Sequence, residues 1–105
     1  MEGKAKEAFK KFCYENDYSL FAESEKYKDL AIMNNALIIE WLDSVGIIVY
    51  VTPYYNHDLG MFNKWAGYES EKGLITDQYV SRQEATEAAI KKAVEIFNEK
   101  YKENE

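Results

Sequence analysis

The chain has 105 residues, enough for one hydrophobic core and too few for two. Hydrophobic residues make up 47% and charged residues 30%, which excludes an intrinsically disordered chain. A formal charge of -6, from 13 basic and 19 acidic residues, argues against binding to phosphate backbones or anionic membranes. Cys13 is the one cysteine, so no internal disulfide can form. The opening "MEGKAKEAFKKF" carries no apolar leader, and no apolar run approaches the roughly 20 residues that span a bilayer. A soluble, cytoplasmic protein is therefore expected.

In chain order, residues 4–16, "KAKEAFKKFCYEN", place Ala5, Ala8, Phe9, Phe12 and Cys13 at helical spacing. This predicts a short helix with one apolar stripe. A polar connection follows, in which Leu20 and Phe21 are expected to tuck against the body. Residues 26–43 predict a second helix, apolar around most of its circumference and therefore buried on more than one side. Gly46 marks its end.

Three strands are predicted next: Ile47 to Tyr55, Met61 to Glu69, and Leu74 to Val80, separated by "NHDLG" and "SEKG". Connections this short favour an antiparallel meander, whose first strand is an edge, and Pro53 belongs on an edge strand or near a strand end. Gly67 inside a strand predicts a bulge or a close backbone approach. "SRQE", residues 81–84, has capping-box form, with Ser81 as N-cap and Glu84 three residues on. It opens a helix whose apolar half includes Ala85, Ala89, Ile90, Ala93, Val94 and Phe97. The expected fold is a single α+β two-layer sandwich of order α-α-β-β-β-α. A three-stranded antiparallel meander carries helices on one face, residues 26–101 form the core, and residues 4–16 add an accessory helix.

Residues that carry chemistry are sparse. A metal site needs several converging His, Cys or carboxylate ligands, and one histidine and one cysteine do not supply them. "NHDLG" shares the opening of a calcium loop, but Gly67 stands where the bidentate glutamate would fall. Cys13 and His57 are the one nucleophile and base pair on offer, yet Cys13 lies in an apolar helix stripe and His57 in a polar turn. The glycines form no phosphate-binding loop. No catalytic, metal-binding or cofactor-binding residue is expected.

The order helix, three antiparallel strands, helix over residues 26–101 resembles the double-stranded-RNA-binding domain, and "EATEAAIKKAVEIF" looks like its alanine-rich last helix. That family reaches phosphates with a lysine cluster at the start of this helix. Here the stretch is "SRQEATEA", one Arg against two Glu, and the family's glycine-proline-histidine loop is missing. The likeness thus implies the topology without the RNA surface, and no nucleic-acid partner is expected.

Residues 37–97 also resemble small proteins encoded by phages, prophages and mobile elements of gut Bacteroides-type bacteria. The likeness lies in a helix ending in "WL", a strand like "IIVYVTPYY", a Gly- and Trp-containing hairpin, and "YVSRQEATEAAIKKAVEIF". It implies an αβββα sandwich of phage-related origin and supplies no activity.

The first strand has apolar or aromatic residues on both faces. A tight turn pairing Tyr55 with Gly60 would set Tyr50 opposite Trp65 and gather Ile48, Tyr50, Tyr54, Met61 and Trp65 on one face. Val49, Val51, Phe62, Ala66 and Tyr68 would then face the helices. The five-residue aromatic face is the expected interaction site, its partner another protein or a second copy. An acidic mimic of nucleic acid is the alternative, and a small hydrolase a distant third.

Overall fold

The structure, a computed structural model, describes residues 3–16 and 31–102. Its elements are α1 (Gly3–Glu15), α2 (Ala31–Ser44), β1 (Val49–Asn56), β2 (Met61–Glu69), β3 (Gly73–Leu74) and α3 (Arg82–Lys102). The strands form one antiparallel sheet in the order β1-β2-β3, and the helices pack on it, an α+β fold. Leu20, Phe21 and the expected helical residues 26–30 lie outside the described residues.

Local signals in the sequence set the ends of these elements. Gly46 has φ 83°, and the chain there closes a Schellman motif: Ile47 N–H donates to Leu42 C=O at 2.9 Å and Gly46 N–H to Asp43 C=O at 3.1 Å. Leu42 and Ile47, the apolar pair that accompanies this motif, are both buried. At the start of α3, Ser81 Oγ accepts the Glu84 N–H at 3.1 Å, satisfying one of the helix's unpaired donors.

The core sits between α3, the sheet and the other two helices. Ala85, Ala89 and Ala93 recur every four residues on α3, and all three are buried. Small residues there let the helix lie close to the sheet. A Cβ placed on Gly67 would stand 2.6 Å from Ala89 Cβ, so the glycine marks a close approach of helix to strand.

Trp41, on α2, fills the space where the three helices meet. Its ring lies 5.9 Å from Phe9 of α1, edge to face, and 4.9 Å from Phe97 of α3. Although α1 is expected as an accessory helix, its Ala5, Phe9 and Cys13 belong to the same buried cluster as Trp41 and Leu42. Its first turn is tied down as well, because Ala5 N–H donates to Asn98 Oδ1 on α3 at 2.9 Å.

The third strand is shorter than the sequence predicts. After Gly73–Leu74, Ile75 N–H still donates to Gly67 C=O at 3.0 Å, but Gly67 N–H is taken by the Thr76 hydroxyl at 2.8 Å. A side chain has replaced the backbone partner, and the ladder breaks. Pairing returns only at Tyr79, which exchanges two bonds of 2.7 and 2.8 Å with Trp65.

Because Phe9 closes one side of Trp41, Phe9→Ala is expected to cost about 3 kcal/mol, the lower end for a buried phenylalanine. Urea unfolding measures this. A cost below about 0.5 kcal/mol, the size of a surface effect, would contradict a core role for α1.

Candidate functional site

The β1–β2 hairpin holds the residues of interest, and its hydrogen bonding decides where each one points. Ser70 N–H donates to Ile48 C=O at 2.9 Å, and Trp65 and Tyr79 exchange bonds on the far side of β2. By alternation, the residues of β1 that bond to β2 are Tyr50, Thr52 and Tyr54. The backbone groups of Val49 and Val51 therefore face the sheet edge that no described strand covers, and so does the nitrogen of Pro53. Proline costs no ladder bond there and removes a donor that an incoming strand would use.

The register pairs Tyr50 with Tyr68, Thr52 with Ala66 and Tyr54 with Lys64, then slips by one residue between Tyr54 and Tyr55. Beyond the slip, Tyr55 pairs with Phe62 and Asn56 with Met61, leaving Asn63 as the extra residue of a bulge. The turn itself follows from "NHDLG". Asn56 Oδ1 accepts the N–H groups of Asp58 and Leu59 at 2.9 and 3.0 Å, and Gly60 takes a left-handed φ of 65°.

This bulge changes the expected site. Ile48, Tyr50 and Tyr54 share the sheet face turned away from α3, and Met61, opposite Asn56, falls on the same side. Trp65 does not join them. One extra residue exchanges the faces of everything beyond it on β2, so Trp65 pairs with Pro53 on the helix side, where the Arg82 guanidinium lies 4.2 Å from its ring centroid. Tyr68 and Ala66 move to the outer face for the same reason. Tyr68 stacks on Tyr50 with ring centroids 5.4 Å apart and planes 9° from parallel.

A second group was not expected from the sequence. Along β2, Trp65 lies beside Arg82, Gly67 beside Ala89, and Glu69 in a groove with Lys92 and Ile96. The strand and α3 thus run alongside each other, and the helix begins level with Trp65. The hairpin continues past that point as an arm of residues 54–64, with no part of α3 beneath it. Tyr55 and Phe62 occupy helix-side positions there and pack on each other at 5.0 Å, yet Phe62 is 62% exposed. Leu59 (61%) and Met61 (51%) complete an apolar tip, and Val80, just before α3, is 77% exposed. The signal in the sequence was the crowding of Tyr54, Tyr55, Leu59, Met61 and Phe62 around one polar turn.

Among the described residues, the groups capable of reaction chemistry do not converge. Cys13 is fully buried on α1, burial pushes its thiol up from its ordinary pKa, and His57 stands exposed at the hairpin tip against the Tyr55 ring. Glu69 is the one buried carboxylate among the described residues, and it caps a turn: its Oε2 accepts Glu71 N–H at 2.9 Å and Lys72 N–H at 2.8 Å. It lines a groove of about 640 Å³ whose rim mixes Lys72, Lys92 and Lys100 with Glu71, Glu95 and Glu99. Among the described residues, no three His, Cys, Asp or Glu side chains are grouped to hold a metal ion. Nor is any helix among them long and apolar enough to cross a membrane.

Compared with protein families, curated proteins and solved structures, the chain finds no match. The likeness of residues 37–97 to phage-type proteins therefore rests on those residues alone.

Burial of Cys13 predicts that a thiol reagent at pH 8 leaves the folded protein unmodified and reacts in full once urea unfolds it. Rapid labelling of the native protein would show that α1 does not stay docked.

Proposed function

We propose that this protein is a non-enzymatic protein-binding module, of phage or mobile-element origin, that works through its β1–β2 hairpin. One observation carries the reading: the arm runs past the end of α3 with large apolar side chains uncovered on both sides. Phe62 alone leaves on the order of 130 Å² open, worth about 3 kcal/mol if a partner covered it. Such groups cluster where a protein surface is designed to be covered. The outer face, with Ile48, Tyr50, Tyr54 and Met61, is continuous with the tip and extends the contact.

The surface around the hairpin supports a protein partner over a charged polymer. Of the 19 acidic residues only Asp58, and of the 13 basic residues only Lys64, fall between residues 44 and 68. Mimicry of nucleic acid has less support. The exposed side of α3 interleaves Glu84, Glu87, Glu95 and Glu99 with Lys91, Lys92 and Lys100, so it presents no row of a single sign.

Neighbouring substitutions test the reading. Val49→Glu is expected to unfold the protein by driving a charge into the core, whereas Tyr50→Glu and Phe62→Glu, on exposed positions, leave far-ultraviolet circular dichroism and cooperative urea unfolding in place. With the wild type and the Tyr50→Glu/Phe62→Glu double variant as baits, a complex formed by the wild type is expected to disappear in the variant. Equal capture by both baits, or unfolding of Tyr50→Glu, would overturn the proposal.

A further inference from the structure

We propose that the occupant of the arm's helix-side face is a second copy of this chain, the two arms packing face to face about a two-fold axis. The inference rests on the protein-binding reading above and adds the partner, the face and the symmetry.

Three observations lead there. The first is shape. Where the arm leaves the helix layer, Tyr55 and Phe62 on its helix-side face and Val80 at the foot of α3 border an uncovered apolar ledge, with Leu59 at its outer end. An arm of the same kind is slender enough to lie along such a ledge, and a two-fold operation makes each arm cover the other.

The second observation is charge. At a formal charge of -6, two copies repel wherever their acidic surfaces meet. The stretch 44–68 is the exception, with one Asp and one Lys, so contact through the arm brings copies together without opposing their carboxylates. A neutral, apolar surface selects a neutral, apolar partner, and the arm is itself such a surface.

The third is area. Tyr55, Leu59, Phe62 and Val80 are each more than a third exposed and contribute roughly 100 Å² apiece. With Pro53, about 450 Å² per copy becomes covered, or about 900 Å² in all, just short of the roughly 1,000 Å² of a stable specific interface. A weak dimer follows, with dissociation in the micromolar range. Edge-to-edge pairing of β1 strands is the competing arrangement, and Pro53 withholds a donor from that edge.

Sedimentation equilibrium of the purified chain from 1 to 300 µM tests this. The wild type is expected to pass from 12.3 kDa to twice that mass across the range. Phe62→Glu should stay monomeric, at least tenfold weaker. Tyr50→Glu, on the outer face, should dimerise within about threefold of the wild type. Loss of the dimer in Tyr50→Glu but not in Phe62→Glu would overturn the assigned face. A wild type monomeric at 300 µM would overturn the dimer altogether, while the broader binding proposal is decided separately by the bait comparison. Circular dichroism of each variant separates lost association from lost fold, and the wild-type mass needs no variant.

Discussion

The close approach of α3 to β2 at Gly67 and Ala89 is the constraint on which the rest of the fold depends. A Cβ on Gly67 would meet Ala89 Cβ at 2.6 Å and Thr76 Cγ2 at 3.0 Å, so only glycine lets the helix sit at this distance. The alanines at 85, 89 and 93 follow from it, being the small side chains that fit a helix pressed against a sheet. Four residues beyond Ala93, a large side chain on α3 fills the volume instead. Phe97 packs on Trp41, and Trp41 in turn needs Phe9, which draws α1 into the core.

The same contact limits how far the helix layer extends. With Ala89 fixed over Gly67 and the helix starting at Arg82 beside Trp65, the sheet is covered near Val49 and Glu69 and uncovered towards Asn56 and Met61. The hairpin tip is then held by its own pairing, by the Asn56 side chain in the turn and by the Tyr55–Phe62 ring contact. An isolated two-stranded ribbon is marginal in water. Apolar residues placed on such a ribbon are a poor solution for a chain that stays alone, and this links the packing of the core to the proposed association.

Much of the fold was legible because its signals are local. Gly46 at a helix end, Ser81 followed by Glu84, the spacing of the alanines and "NHDLG" as a turn each depend on a few consecutive residues. What was not legible depends on choices between distant ones. The third strand fails because the Thr76 hydroxyl competes for the Gly67 N–H, an event that strand propensity in "LITDQYV" does not reveal. The slip between Tyr54 and Tyr55 has no marker, since Asn63 is an ordinary strand residue by neighbourhood, and Gly67 looked the better place for a bulge. That single residue decided the candidate site. It left Ile48, Tyr50, Tyr54 and Met61 together, sent Trp65 to the helix side and brought Tyr68 to stack on Tyr50. The uncovered arm was hidden for a related reason, because its existence depends on where α3 crosses the sheet.

If the helices hold the base of the hairpin and a partner arm covers its tip, the two halves differ in how their protection depends on protein concentration. Amide hydrogen exchange followed residue by residue at 5 and 300 µM measures this directly. Exchange in residues 54–62 is expected to slow several-fold at the higher concentration, while exchange at Val49–Val51 and Gly67–Glu69 stays unchanged. Protection of the arm that is the same at both concentrations would contradict this.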